Sequence, residues 1–177
     1  MKLDTFFRDL AWQARIQIRF ATQSDLIALE WGGEFTHFRR MYAEAYQRQL
    51  RGLSLLWVAE LPGDGLVGQV FVQLNCDRPE LANGRDRAYL YSFRVRPEFR
   101  CAGIGSRMMS AVEEELRGRG FDWITLNVAR DNHRAQNLYI RRGYKIVAPE
   151  PGEWSYQDDQ GAWHHVVEPA WRMEKRI

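Results

Sequence analysis

Two glycines and an arginine occupy the turn between a predicted strand and a predicted helix. Residues 88–95 are rich in aromatic and β-branched side chains, which is typical of a strand. After Gly103 and Gly105, apolar residues recur at helical spacing, namely Met108, Met109, Val112 and Leu116. Glycine lets the backbone turn sharply and approach a ligand without a Cβ in the way. Because a helix points its free N–H groups and positive dipole end at the preceding loop, the pattern predicts a phosphate or pyrophosphate site.

The spacing of the glycines separates this loop from two common phosphate-binding loops. A Walker loop needs a lysine after its last glycine, and none follows Gly105. The dinucleotide fingerprint needs a third glycine where this chain has Met108. What remains is the pattern Arg100-x-x-Gly103-x-Gly105. A glycine-rich turn that binds no ligand is the alternative that stays open at this point.

A second pattern lies downstream, at the start of another predicted helix. It reads Asn132-x-x-Ala135-x-x-Leu138-Tyr139, followed by Gly143-Tyr144. Together the two patterns resemble those of the GNAT superfamily of acyl-CoA N-acyltransferases. The first resembles the acetyl-CoA loop, Arg/Gln-x-x-Gly-x-Gly/Ala, and the second resembles the Asn-x-x-Ala-x-x-Leu-Tyr signature. The resemblance is strongest over residues 89–148 and extends loosely to the whole chain.

Periodicity along the rest of the chain predicts an α/β fold with a mixed sheet. Alternating or apolar runs predict strands at residues 15–20, 53–60, 66–74, 88–95, 122–128, 144–148 and 171–175. Apolar stripes and capping residues predict helices at residues 25–30, 34–50, 106–117 and 132–142. Residues 1–14 are expected to be an amphipathic lead-in that presents Leu3, Phe6, Phe7 and Leu10 on one side. Residues 149–167 are expected to be irregular, with a turn at residues 158–161.

The resemblance implies a GNAT-type fold for this order of elements. That fold is of the α+β type, with a central mixed sheet of about six to seven strands flanked by about four helices. We find no internal repeat, low-complexity tract or linker in the sequence, so a single domain over residues 1–177 is expected.

The resemblance assigns the contacts with acetyl-CoA to three parts of the chain. The backbone of Phe93, Arg94 and Val95 would pair with the pantetheine arm, in a gap where two central parallel strands splay apart. The pyrophosphate would bind the backbone amides of Cys101, Ala102, Gly103, Ile104, Gly105 and Ser106. Arg100 would add a positive charge nearby, with a solvated surface charge as the alternative. Asn132 would contact the pantetheine arm as well as cap its helix, with a cap alone as the alternative.

The candidate acid and base of an acyl transfer come from different parts of the chain. The reaction passes through an oxyanion and expels a thiolate, which needs a proton donor. By resemblance, Tyr139 faces the cofactor sulfur as general acid, and a core tyrosine is the alternative. The amine must also lose a proton, yet residues 88–95 lack the acid that many family members carry there. Glu30 and Glu34, near the expected acceptor site, are the candidate bases.

The segment from Glu153 to Trp163 is expected to shape the acceptor pocket, because in the family the connection between the last two strands borders the acceptor entrance. Trp154, Tyr156 and Trp163 offer aromatic faces for an apolar or cationic acceptor. Glu153, Asp158 and Asp159 would attract an ammonium group. An aromatic staple that holds a surface loop, or a dimer contact, is the alternative.

Composition narrows the classes of function. The 177 residues carry a formal net charge of +2, which is too small a bias to indicate a nucleic acid or a membrane surface as partner. The two cysteines form no disulfide framework and the N-terminus does not read as a signal peptide, so a cytoplasmic protein is expected. The four histidines lack ligand spacing, so no metal is expected.

The resemblance implies an N-acetyltransferase that moves the acetyl group of acetyl-CoA to a primary amine by direct attack in a ternary complex. A non-catalytic module that binds or senses acyl-CoA is the alternative. The acceptor stays open among small amines, aminoglycoside-type drugs, amino acids, polyamines, and protein N-termini or lysines. Dimers are common in the family, so a homodimer is compatible with this assignment.

Overall fold

A computed structural model describes residues 12–177, of which residues 12–15 are helical. The strands in this range are β1 (Gln17–Phe20), β2 (Ser54–Leu61), β3 (Gly65–Gln73), β4 (Arg87–Val95), β5 (Trp123–Ala129), β6 (Lys145–Glu150), β7 (Glu153–Gln157), β8 (Trp163–Val167) and β9 (Ala170–Arg176). The α-helices that follow residue 15 are α1 (Arg39–Leu50), α2 (Ile104–Gly118) and α3 (His133–Arg141). Short 3₁₀ helices cover Gln23–Asp25, Ala28–Gly33, Thr36–Phe38 and Pro97–Phe99. The predicted amphipathic side of Leu3, Phe6, Phe7 and Leu10 lies outside the described residues.

Seven strands form one mixed sheet in the order β1-β2-β3-β4-β5-β9-β6. Neighbouring strands run antiparallel except β4 and β5, which are parallel. The chain crosses from β4 to β5 through α2, as a parallel connection requires. β7 and β8 form a separate two-stranded hairpin. The predicted mixed sheet is therefore confirmed.

Two apolar layers hold the helices on opposite faces of the sheet. The stripe predicted for α2 is fully buried against one face: Met108, Met109, Val112 and Leu116. On the other face, Tyr42 and Ala45 of α1 pack with Phe71 of β3. α1 and α2 therefore lie on opposite sides of β4, and side chains of this strand contact both layers.

β4 contains an irregularity that redirects the side chains of its C-terminal half. Its pairing with β3 shifts between Gln69 and Phe71, and Ser92 adopts a left-handed backbone with a φ of 49°. The side-chain amide of the fully buried Gln69 donates to the Ser92 hydroxyl oxygen at 3.0 Å. An extra residue in one strand changes the face that the following side chains occupy. Arg94 therefore points to the side of α1, where it donates to the Tyr42 hydroxyl at 2.9 Å.

The α-helix predicted for residues 25–30 is wrong, and the one predicted for residues 34–50 is wrong in its first part. Residues 25–30 belong to short 3₁₀ helices and the connection between them, and the α-helix begins only at Arg39. Between the two predicted helices, Trp31 and Gly32 take left-handed conformations with φ values of 48° and 69°. Left-handed residues cannot continue a right-handed helix, so the chain turns there instead.

The prediction that residues 149–167 are irregular is also wrong. β6 extends to Glu150, and β7 and β8 pair as a hairpin. The turn predicted at its tip is confirmed, because Asp158 Oδ1 accepts from the backbone N–H groups of Gln160 and Ala162 at 2.9 and 2.8 Å. Trp154 and Tyr156 share one face of the hairpin and place it against the 3₁₀ helix that precedes α1.

Candidate active site

The parallel strands β4 and β5 separate towards their C-terminal ends. Their pairing ends at Leu90 and Leu126, whereas β4 continues to Val95 and β5 to Ala129. A cleft of about 1130 Å³ occupies this opening, between the loop before α2 and the side of α3. Of the residues that the resemblance assigned to the cofactor, all except Ala102 line the cleft. The structure therefore brings one predicted set of residues together at one place.

The first turn of α2 presents backbone donors to the cleft. The Arg107 N–H is the first in the helix to find an intrahelical partner, the Gly103 carbonyl at 3.0 Å. The amides of Ile104, Gly105 and Ser106 precede it and are the free donors of a helix N-terminus, which no side chain among residues 12–177 caps. Gly103 has a φ of 79°, and a Cβ built on it would meet no atom within 4 Å. A side chain there would project into open space in front of the free amides, which is where an anion would bind.

Gly105 serves the site for a different reason from Gly103. It lies within α2, and a Cβ on it would lie 3.4 Å from Phe93 and 3.5 Å from Leu138. Glycine therefore lets α2, β4 and α3 approach closely beside the cleft. The turn itself depends on Cys101 and Gly103, which have φ values of 62° and 79°.

Arginines supply positive charge around the same loop. Arg100 Nε donates to the Val95 carbonyl at 2.9 Å, and its guanidinium lines the cleft. Arg134, on the first turn of α3, reaches the Cys101 sulfur at 3.3 Å and also lines the cleft. Arg134 was not among the predicted cofactor contacts, although its position two residues after the cap Asn132 could have indicated a place near the cofactor. Two guanidinium groups beside free amides suit a pyrophosphate.

α3 begins at its predicted cap and carries the predicted acid. Asn132 Oδ1 accepts from the Ala135 N–H at 3.1 Å, which confirms the cap, and Asn132 also lines the cleft. Tyr139 is 6% exposed and lines the cleft with Phe93, whose ring centroid lies 6.5 Å from its own. Burial raises the pKa of Tyr139 above its ordinary value. The phenol therefore stays protonated at neutral pH and is able to donate a proton.

A buried carboxylate fixes α3 against α2. Glu113, which is 3% exposed, accepts from Lys175 at 2.9 Å and from Arg142 at 3.1 Å. Arg142 follows the last residue of α3 and also donates to the Ser106 carbonyl at 3.1 Å. These bonds connect the end of α3 to the first turn of α2, so Tyr139 and the loop before α2 keep a fixed relation.

The two glutamates predicted as candidate bases have different environments. Glu30 is 4% exposed and accepts from Arg39 Nε at 2.6 Å and from the Thr36 hydroxyl at 2.8 Å. These hydrogen bonds, foremost those from Arg39, hold the pKa of Glu30 below its ordinary value despite its burial. Glu34 is exposed and lines the cleft, which Glu30 does not. The structure therefore brings Glu34, but not Glu30, to the cleft.

A second cavity of about 580 Å³ adjoins the cleft on the α1 side of the sheet. The residues that line both, called the junction below, are Tyr91, Ser92, Arg94, Asn127, Ala129 and Glu168. Asn127 Oδ1 is buried and has no hydrogen-bond partner within residues 12–177. The Glu168 N–H donates to the Gly152 carbonyl at 3.0 Å, and a Cβ on Gly152 would overlap the Glu168 carbonyl oxygen. The backbone thus holds Glu168 at the junction. Neither Asn127 nor Glu168 was among the predicted site residues.

The β7–β8 hairpin contributes part of the predicted acceptor segment to this cavity. Glu153 and Trp154 line it, and Tyr156 packs on Phe38 with ring centroids 4.9 Å apart. Trp163 is 72% exposed and lines neither the cleft nor the second cavity. The hairpin therefore faces the cavity with Trp154 and faces solvent with Trp163.

Two further features concern metals and membranes. Among residues 12–177, no group of three His, Cys, Asp or Glu side chains is arranged to hold a metal ion. No helix in the described part of the chain combines the length and the apolar character needed to cross a membrane.

Known proteins match the chain in sequence. The sequence model of the acetyltransferase (GNAT) family matches residues 21–144. The probable N-acetyltransferase camello of Xenopus tropicalis is 27% identical over 129 residues, which are 68% of this chain and 56% of that protein. The chain thus spans little more than half the length of this relative.

Solved structures match the chain in fold. Ard1 from Thermoplasma volcanium has a TM-score of 0.70 at 18% identity, covering 92% of this chain and 98% of that one. The yncA protein of Salmonella typhimurium, solved with its cofactor acetyl-CoA, has a TM-score of 0.68 at 18% identity, covering 92% of this chain and 94% of that one. At such identities the likeness establishes the fold, and it confirms the fold predicted from the sequence.

Proposed function

The chain belongs to the acetyltransferase (GNAT) family, and from that premise we propose that it transfers the acetyl group of acetyl-CoA to the nitrogen of a primary amine. The observation that carries this proposal is the junction, whose residues line both the cleft and the second cavity. A cofactor in the cleft and an amine in the second cavity would meet there. Both substrates can then be bound at once, which is what direct attack in a ternary complex requires.

Three features of the cleft support acetyl-CoA as the donor. The free amides from Ile104 to Ser106 and the open space at Gly103 fit the pyrophosphate. Arg100 and Arg134 add two positive charges beside them. Past Leu90 the backbone of β4 has left its partner strand β5, so it is available to pair with the amide groups of the pantetheine arm.

The reaction needs one proton to leave the amine and one to reach the sulfur. The amine nitrogen attacks the thioester carbonyl carbon, the C–N bond forms, and the C–S bond breaks as the tetrahedral intermediate collapses. Tyr139 gives its proton to the departing sulfur, a role for which its raised pKa keeps it protonated. The phenolate then takes a proton from solvent, and the group that accepted the amine proton returns it to solvent, so the net proton balance is closed.

Glu168 is the group that takes the proton of the amine, directly or through a water molecule. It lines both the cleft and the second cavity, whereas Glu34 lines the cleft alone. It forms no ion pair with another residue in the range 12–177, so its carboxylate is available. Glu30 has a structural role, because its ion pair with Arg39 stabilises the segment that contains Trp31 and Glu34.

Replacing each of the three glutamates by glutamine separates these roles. For Glu168→Gln we expect kcat/KM for the amine to fall about tenfold to a hundredfold at neutral pH, because general-base catalysis is typically worth at least that much. For Glu30→Gln we expect the free energy of unfolding to fall by about 1–3 kcal/mol, with kcat unchanged. Steady-state kinetics and thermal unfolding of the three variants check this. If Glu34→Gln shows the larger loss of kcat/KM, Glu34 is the base.

Release of CoA tests the function itself. We expect the protein to release free CoA thiol from acetyl-CoA faster in the presence of primary amines than in their absence. The amine set should contain a small aromatic amine, a polyamine and an alanine-initiated peptide. Tight acetyl-CoA binding without amine-stimulated thiol release from any of them would instead identify a non-catalytic acyl-CoA-binding module.

A further inference from the structure

Aromatic rings form a continuous wall of the second cavity. The rings are, in order of contact, Tyr89, Tyr91, Phe71, Tyr42, Phe38 and Trp154. Successive ring centroids along this aromatic wall lie 5.9, 5.7, 5.8, 6.2 and 6.1 Å apart. Burial raises the pKa of Tyr89 and of Tyr91 to about 12, so both phenols are neutral at neutral pH. Phe71 and Tyr42 belong to the core and are 1% and 2% exposed, so the rings of the wall that present surface to a ligand are Tyr89, Tyr91, Phe38 and Trp154.

The charged groups that line the second cavity carry both signs. Arg78 donates twice to Glu150, at 3.0 and 2.8 Å, so the buried carboxylate of Glu150 is already neutralised. The Arg94 guanidinium lies 4.1 Å from the Phe35 ring centroid and has no carboxylate partner within residues 12–177. Glu44 and Glu153 also line the cavity and are exposed, so the lining carries carboxylates as well as guanidinium groups. An ammonium group at the junction would face Glu168, while the Arg94 guanidinium there lies against the Phe35 ring and the Tyr42 hydroxyl.

The outer side of the second cavity is narrowed by contact between the hairpin and the segment before α1. Phe38 lies 6.1 Å from Trp154 and 4.9 Å from Tyr156, measured between ring centroids. The volume of about 580 Å³ is in the range of small-molecule sites. The contact between these rings closes one side of the cavity, and its volume suits an acceptor of small size.

We propose that the acceptor is a small primary amine that carries one aromatic ring on a short alkyl chain. This inference rests on the proposed acetyl transfer and names the substrate class of the same site. The ring packs on the aromatic wall, where aromatic pairs gain energy beyond simple burial. The amine nitrogen lies at the junction, between the Glu168 carboxylate and the Asn127 side chain. The buried Asn127 Oδ1 lacks a partner within residues 12–177, and it accepts a hydrogen bond from the amine.

A comparison of amines tests the substrate class. We expect kcat/KM for 2-phenylethylamine to exceed that for spermidine and for an alanine-initiated peptide by roughly tenfold or more, the size of one strong aromatic contact. We expect it to exceed that for 2-cyclohexylethylamine, which has the same shape without the π system, by about twofold to tenfold. Equal or higher values for any of the three competitors would overturn the inference and leave acetyl transfer standing.

Two tryptophans of the hairpin provide a matched pair of variants. Trp154→Leu removes a ring of the aromatic wall, and we expect it to raise KM for 2-phenylethylamine about threefold to tenfold with KM for acetyl-CoA unchanged. Trp163→Leu alters the exposed face of the same hairpin, and we expect neither constant to change. Equal effects of the two variants on KM for 2-phenylethylamine would mean that the hairpin affects binding only through its stability. This result would contradict the inference.

Binding measured without catalysis separates this inference from the proposed function. Calorimetric titration of 2-phenylethylamine into the protein, with CoA present, reports on the second cavity whether or not acetyl is transferred. Binding that Trp154→Leu weakens and Trp163→Leu leaves intact supports the aromatic wall even if no thiol is released. Turnover of spermidine without binding of 2-phenylethylamine would support the function and reject the inference.

Discussion

Replacing Tyr139 with phenylalanine is expected to lower kcat about a hundredfold or more while the affinity for acetyl-CoA changes less than about threefold. The hydroxyl matters most when negative charge develops on the departing sulfur, and it matters little in the ground state. The phenylalanine keeps the ring that packs between Phe93 and Tyr144, so the fold is expected to persist. Steady-state kinetics beside calorimetric titration of acetyl-CoA check the two quantities separately.

Tyr144 offers a matched control for this experiment. It is also buried, its pKa is also raised by burial, and its ring centroid lies 5.8 Å from that of Tyr139. Its hydroxyl, however, faces Glu113 at 3.4 Å, and Tyr144 does not line the cleft. We expect Tyr144→Phe to leave kcat within about threefold of the unaltered protein. A Tyr139→Phe variant with unchanged kcat over the accessible pH range would show that water or another group protonates the sulfur.

The second large effect is expected for Gly103→Val. A β-branched residue at a φ of 79° is strained, and its side chain would occupy the space in front of the free amides at the start of α2. The strain is expected to lower the stability of the fold by about 1–3 kcal/mol. Because the side chain would obstruct the hydrogen bonds between the amides and the charged pyrophosphate, we expect the dissociation constant of acetyl-CoA to rise roughly tenfold to a hundredfold. Calorimetric titration of the folded variant measures this change.

Gly120→Val controls for the strain itself. Gly120 follows the other end of α2 with a φ of 83°, and a Cβ on it would meet no atom within 4 Å. Both substitutions should therefore lower the thermal stability to a similar extent, but only Gly103→Val should weaken acetyl-CoA binding. Equal affinities of the two variants for acetyl-CoA would show that the pyrophosphate does not bind at this loop.

Local patterns were sufficient to predict the elements that build the cleft. The alternation of β4, the glycine loop and the apolar stripe of α2 are properties of short stretches, and the structure forms each of them where the sequence indicates. The cap at Asn132 is equally local, since its side chain bonds an N–H only three residues away. Predictions of this kind succeed because the decisive contacts are close in sequence.

Other features depend on contacts that no local pattern reports. The left-handed backbone at Trp31 lies between the two predicted helices, but no local pattern indicated that the segments on both sides of it form 3₁₀ helices and not α-helices. The β7–β8 hairpin was not predicted because the β8 sequence, Trp163-His-His-Val-Val167, does not alternate between apolar and polar residues. In β7, by contrast, Trp154 and Tyr156 do alternate with polar residues. Glu168 lies between β8 and β9, and its backbone N–H bonds to Gly152, which lies between β6 and β7. This contact between two separate connections holds Glu168 at the junction.

Tyr139 and the loop before α2, which the resemblance assigned to the cofactor site, line the cleft, but the resemblance could not choose among the glutamates. Glu30 and Glu34 are close in sequence, and only the packing shows that Arg39 occupies the first and that the second lines the cleft. Charge, burial and access differ between identical residue types because segments distant in sequence surround them. The environments of the glutamates could therefore not be predicted from the sequence.

Following the acetyl group itself tests the central claim most directly. The protein is mixed with acetyl-CoA labelled with carbon-13 at the acetyl carbonyl and with 2-phenylethylamine, spermidine and an alanine-initiated peptide, and the carbonyl signal is followed by NMR. We expect the thioester signal to be replaced by an amide signal at the rate of CoA release, with no labelled protein. A label that stays on the thioester, or that appears in acetate while every amine remains unmodified, would contradict acetyl transfer to an amine.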